Sequence, residues 1–253
     1  MSTHTVFRIG SPSATPLKEA HARGRVAPSR RKVLPILYQY FQVLFRTFGP
    51  QHWWPGRTRF EIIVGAILTQ NTSWTNVERA IYALRRERLL TPGAIAGIST
   101  VRLGKLIRSS GYFRQKARKL QEFAVFLKQE HAGSLTKMFR TPTAKLREQL
   151  LGVDGIGPET ADSILLYAGE HRVFVVDAYT RRILERHEIV HKKNTYDEIQ
   201  RLVEKSLPSE VDVFNEFHAL IVHVGKNFCR PKEPVCSTCP LNCYLARPIE
   251  GSR

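Results

Sequence analysis

The stretch "LLGVDGIGPETADSILLYAGEHRVFVVDAYTRRIL" (Leu150–Leu184) decides how this chain is read. It places a Gly-Ile-Gly turn, Gly155 to Gly157, between two segments of helical character, "AKLREQLLGV" and "PETADSILLYA". Glycines at such a turn permit positive φ, and they leave backbone N–H groups uncovered where the second helix begins. An apolar run from Val173 to Val176 follows and ends on a single acid, Asp177. The run has strand composition, yet four residues alone cannot make a sheet.

Outward from this stretch the chain reads as helix after helix. Leu37, Phe41, Leu44 and Phe48 share one helical face, as do Phe60, Ile63, Val64, Ile67 and Leu68. The same spacing recurs at Ala117, Leu120, Ala124 and Leu127, and at Ala161, Ile164, Leu165 and Ala168. Start signals fall between these segments. Thr91-Pro92 and Thr141-Pro142 set an N-cap residue before a first-turn proline, and Thr195 with Glu198 spells a capping box. The expected fold is all-α, without internal repeats.

The 253 residues suffice for one large or two small domains. With 39 Lys and Arg against 22 Asp and Glu, the formal net charge is +17. Such an excess is the electrostatic footprint of a nucleic-acid partner, because each neutralised phosphate releases counterions. Part of it sits in residues 1–32, which read as a disordered basic arm, but Lys and Arg also recur through 102–119 and 181–205. No apolar run approaches the ~20 residues needed to span a bilayer, and no secretory signal opens the chain. An intracellular, nucleoid-associated location is therefore expected.

All four cysteines fall in "CRPKEPVCSTCPLNC": Cys229, Cys236, Cys239 and Cys243, spaced C-x6-C-x2-C-x3-C. Thiolates this close in sequence can converge on one centre. Two disulfides would suit a secreted protein. Structural zinc usually takes two short knuckles, and here only one C-x2-C pair occurs. A [4Fe–4S] cluster tolerates the wide first gap and the proline after the third cysteine, so the cluster is preferred over zinc.

The hairpin, the aspartate and the cysteine loop together resemble the helix-hairpin-helix (HhH-GPD) DNA glycosylases related to endonuclease III. The resemblance covers roughly residues 33–245; the last cysteine gap is shorter than in endonuclease III itself. It implies two all-α lobes with a DNA-binding cleft between them. Residues 59–171 would form a six-helix barrel, and 33–58 with 172–253 the iron–sulfur lobe.

In this family a damaged nucleotide is flipped from double-stranded DNA into the cleft. Asp177 would stabilise the cationic sugar and orient or deprotonate the attacking water. Its other reading, an N-cap for "AYTRRIL", is compatible with that role. Gly155, Ile156, Gly157 and Thr160 would meet the DNA backbone. Gln70 would fill the hole left by the flipped base, and Tyr112 would wedge the opposite strand.

Bifunctional members carry a lysine in the hairpin's second helix where this chain has Glu159. A carboxylate cannot form an imine, so the expected enzyme is monofunctional and leaves an abasic site. Lys116, in "FRQKARKL", reads as part of a solvated basic face rather than as a substitute nucleophile. His218 shares a helical face with Phe214, Phe217 and Ile221 and reads as a hydrogen-bonded core histidine.

"HWWP" followed by "LTQN", with Glu159, is similar to the 3-methyladenine glycosylases of the superfamily. Trp53 and Trp54 would supply aromatic faces for a cationic base, so an alkylated purine is the expected substrate. Uracil or thymine mismatches, oxidised bases, and a non-catalytic iron–sulfur DNA-binding role are the alternatives. The chain is expected to act as a monomer.

Overall fold

A computed structural model describes residues 35–51, 53 and 56–247. The arm 1–32 and Trp54 lie outside the described residues. Among those described, the regular structure is helical, with no strand. The α-helices are α1 (Ile36–Phe48), α2 (Arg59–Leu68), α3 (Trp74–Arg86), α4 (Pro92–Gly97), α5 (Thr100–Leu106), α6 (Phe113–His131), α7 (Leu135–Phe139), α8 (Thr143–Leu151), α9 (Pro158–Ser163), α10 (Ala178–Arg186), α11 (Tyr196–Ser206) and α12 (Val211–Asn227). No helix is long and apolar enough to cross a membrane among the described residues.

Two helices are buried on nearly every side. In α2 even Glu61 is inside, its carboxylate taken by Arg85 at 2.7 Å. Thr58 caps this helix by accepting from the Glu61 N–H. In α12, Phe214, Phe217, Leu220, Ile221 and Val224 are buried. Helices α1, α10 and α11 gather around α12 or one another, whereas α3, α6 and α9 pack on α2. A π turn, Ile164–Ala168, continues α9 and touches both α2 and α12.

Local signals explain most helix starts. Thr91 accepts from the Ala94 N–H with Pro92 in the first turn, and the Thr195–Glu198 capping box forms in both directions. Thr141 differs from expectation. Pro142 has φ −53° and an extended ψ of 140°, so α8 begins at Thr143 and Pro142 is its cap residue, without a side-chain bond.

The run 173–176 is extended but not a strand. Side chains of α11, instead of a neighbouring strand, take up three of its polar backbone groups. The Phe174 N–H donates to Glu204 Oε1 (2.9 Å), the Phe174 carbonyl accepts from Gln200 Nε2 (2.6 Å), and the Val176 N–H donates to the Tyr196 hydroxyl (3.2 Å). Tyr196, Gln200 and Glu204 stand four residues apart and so form one stripe of the helix. The stripe also reaches Asp162 of α9, fully buried, which accepts from Gln200 (2.7 Å) and from Arg147 of α8 at 2.8 and 3.2 Å. One polar network thus joins both hairpin helices to the strap that delivers Asp177.

Candidate functional site

Asp177 caps α10. Its Oδ1 accepts from the Thr180 N–H (2.7 Å) and hydroxyl (2.9 Å), while Oδ2 lies 3.5 Å from Nε2 of His218. The side chain is 11% exposed, so it is nearly enclosed but still reachable. Burial works to raise its pKa; His218 and the two bonds from Thr180 outweigh this and hold the carboxyl below the usual carboxylate range. An ionised carboxylate in a sparsely hydrated place is what a developing cation needs.

Glu159, on the first turn of α9, stands within electrostatic reach of both Asp177 and His218. The residue is exposed on one flank, yet its carboxyl is pushed up, by burial first and by the Asp177 charge next, with His218 opposing. Two carboxyls with opposite shifts therefore share one place. Trp53 stands beside them, its ring 6.4 Å from His218 and edge-on, with the Lys226 ammonium 5.4 Å from the indole centroid.

His218 is a buried histidine on the apolar face of α12, hydrogen-bonded through Nδ1 to the Tyr167 hydroxyl. Its spacing with Phe214 and Phe217 hid the fact that its other nitrogen faces Asp177. Only knowledge of the fold could reveal that pairing, since the two residues are far apart in sequence.

The hairpin corrects one expectation. Gly155 has φ +80°, and a Cβ there would stand 2.5 Å from the Lys119 side chain, so glycine is required twice over. Gly157 has φ −90°, an ordinary value, with open space where a Cβ would point. The N–H groups are not all free either. That of Ile156 donates to the Val153 carbonyl (3.0 Å) and its side chain is buried, which leaves the Gly155 and Gly157 N–H groups without an acceptor among the described residues. Ile156 thus anchors the turn from inside.

Gln70 reaches this turn. Its Nε2 donates to the Gly155 carbonyl (3.1 Å) and to the buried Thr160 hydroxyl (2.9 Å), and its Oε1 accepts from Lys119 Nζ (2.6 Å). Tyr112 lies elsewhere, at the entry to α6, with φ +44° and 62% of its surface exposed. A non-glycine residue in the left-handed region is strained, and such strain clusters where a side chain must project.

Lys116 is not on a solvated face. It shares the inner stripe of α6 with Leu120, Phe123 and Leu127 and is 2% exposed. Its ammonium donates to the Leu68 carbonyl at the end of α2 (2.9 Å) and to the Ser110 carbonyl (2.6 Å). Burial, then the nearby Lys119, lowers its pKa to about 8. Both contacts are structural and tie the segment before Gln70 to the turn before Tyr112.

No disulfide joins the four cysteines. Cys229, Cys236 and Cys239 line one small cavity with Arg186 and His187, and burial first, then the proximity of the other three cysteines, pushes the Cys239 thiol up. Arg186 Nη1 donates to Cys229 Sγ at 3.2 Å and braces the loop through the Arg230 and Pro231 carbonyls. A cationic donor against sulfur suits a thiolate ligand set. Among the described residues no group of three or more His, Cys, Asp or Glu is placed to hold a single metal ion.

Comparison with known proteins fits this geometry. The model of the HhH-GPD superfamily base excision DNA repair protein matches residues 64–209. A Methanocaldococcus jannaschii protein, provisionally named a DNA repair glycosylase, is 45% identical over 208 residues, 81% of this chain and 94% of that one. The H. pylori 3-methyladenine DNA glycosylase, solved with 1,N6-ethenoadenine, superposes with TM-score 0.66 at 27% identity, over 75% of this chain and 97% of that one. A non-covalent endonuclease III–DNA complex gives TM-score 0.72 at 21% identity, over 83% and 94%, and shows the shared two-lobed helical fold. Hairpin, strap and Asp177 all lie inside the matched span, and the chain belongs to the HhH-GPD superfamily of base excision DNA repair proteins.

Proposed function

We propose that this protein is a monofunctional DNA glycosylase that hydrolyses the N-glycosidic bond of an alkylated purine flipped from duplex DNA. The observation that carries the reading is the pair of carboxyls at Asp177 and Glu159, set beside Trp53, with a carboxylate where bifunctional members carry an amine. As the bond to the base breaks, the base leaves with the bonding electrons and the sugar becomes cationic. Asp177 stabilises that charge, and water adds to the sugar carbon while its proton passes to the carboxylate. A base that is already cationic departs neutral, so little acid assistance is required. Trp53 supplies an aromatic face for such a base.

The duplex is held without base reading through the Gly155 and Gly157 N–H groups, aided by the basic surface. Gln70 leaves its hairpin bonds to pair with the orphaned base, since an amide offers both donor and acceptor. Tyr112 is the wedge. The lobes divide at residues 59 and 171 as the resemblance implies, and the chain acts as a monomer.

Cys229, Cys236, Cys239 and Cys243 would hold a [4Fe–4S] cluster, whose contribution here is to fix the loop after α12; no reaction step passes through it. The purified chain should show a brown visible absorption with iron and sulfide in equal amounts. A colourless, zinc-bearing protein would overturn that assignment.

Substrate choice is tested by incubating the protein with methylated, uracil-containing, thymine-mismatched and oxidised duplexes. Release of methylated purine at least tenfold faster than any other base is expected. Release confined to a pyrimidine or an oxidised base would retire the alkylpurine reading, and no release from any duplex would favour a DNA-binding clamp.

A further inference from the structure

The buried pair Tyr167–His218 is unused by the reaction as proposed so far. His218 is 4% exposed, and its Nε2 has no hydrogen-bond partner although it points at Asp177 Oδ2, 3.5 Å away. Leaving a buried ring nitrogen so placed costs stability, and a histidine kept there against that cost suggests a task.

Hydrogen-bond polarity supplies the task. The Asp177 carboxylate can only accept, so the arrangement that suits both neighbours of the ring carries the proton on Nε2 and takes the Tyr167 hydroxyl proton at Nδ1. A neutral imidazole that accepts at Nδ1 must carry its own proton on Nε2. An imidazolium carries protons on both nitrogens. In either charge state, then, the face turned to Asp177 is N–H rather than a lone pair.

We propose that Tyr167, bonded at Nδ1, makes His218 the positioning residue of Asp177: His218 keeps an N–H donor aimed at Oδ2 while Thr180 holds Oδ1. The inference rests on the catalytic reading of Asp177. The 3.5 Å gap is longer than a working hydrogen bond, and contacts of this kind commonly tighten when substrate fills the site. With both oxygens addressed by donors, the carboxylate stays ionised and keeps one orientation.

The charged and titratable groups around His218 are Asp177 at the start of α10, Glu159 on α9 and Tyr167 in the π turn; Lys226, on its own helix, stands over Trp53. The test is the pH dependence of single-turnover base release from the fastest-released duplex of the panel above. For His218→Leu the acid limb of the profile should move up by about one pH unit, because a donor to the charged form is lost. His218→Gln, which can restore an N–H toward Asp177, should return the limb toward its original position. The shift should persist when Glu159→Gln is added, since Glu159 is not the group being held.

A purely structural histidine would lower the rate at every pH and leave the limb where it was; that result overturns the proposal. Should His218→Leu fail to fold, Tyr167→Phe removes one hydroxyl and frees the ring to present its lone pair to Asp177, so the same upward shift is expected and its absence is equally decisive. Turnover retained by Asp177→Asn would sink the catalytic reading and this inference together. An inactive Asp177→Asn with an unmoved limb in His218→Leu would sink this inference alone.

Discussion

Asp162→Ala is expected to lower stability by about 3 kcal/mol, read as a reduced urea midpoint at unchanged slope. The carboxylate is fully buried and accepts from Arg147 twice and from Gln200 once. Its removal strands a guanidinium and leaves Gln200 with only the Phe174 carbonyl. The loss sits at the lower end of what breaking a buried ion pair costs, because Arg147 keeps Asp197 at 2.8 Å and is 21% exposed. Asp162→Asn, which preserves shape and an acceptor, should lose clearly less. Equal stability of wild type and Asp162→Ala would mean that the network does not hold the strap.

Asp177→Asn should slow base release by about 10²- to 10⁴-fold while damaged-DNA affinity stays within a factor of a few. The asymmetry follows from its two roles. Asparagine caps a helix about as well as aspartate, so the Thr180 bond and α10 survive. The negative charge does not survive, and nothing else beside the sugar replaces it. Burial disfavours the charged form of Glu159 and persists in the variant, whereas the contribution of the Asp177 charge to raising its carboxyl disappears with that charge.

Much of this architecture was legible in the sequence because its signals are local. Helix faces, the Thr91 and Thr195 caps, and the Gly155 turn each follow from residues within a few positions of one another. What was hidden is long-range and polar. Nothing near Val173–Val176 says that a helix 20 to 30 residues later will satisfy its backbone, although the Tyr196, Gln200 and Glu204 spacing could have raised the question. Lys116 looked solvated because its neighbours are basic; the inner stripe it shares with Leu120 and Phe123 outweighed that impression. His218 looked like core and is core, yet one of its nitrogens faces Asp177 across 41 positions of chain. The Thr141 cap does not form because Pro142 is itself extended, which moves the helix start forward by one residue.

The account's central claim is that a carboxylate and a water, with no amine, break the glycosidic bond. The most direct measurement is a single-turnover reaction of wild type and Asp177→Asn on the methylated duplex, run with and without borohydride, with products resolved before and after alkali. The account predicts an abasic strand from wild type that stays whole until alkali cuts it, no borohydride-trapped complex, and almost no product from the variant. A strand cut without alkali, a trapped covalent adduct, or a variant as fast as wild type would contradict it.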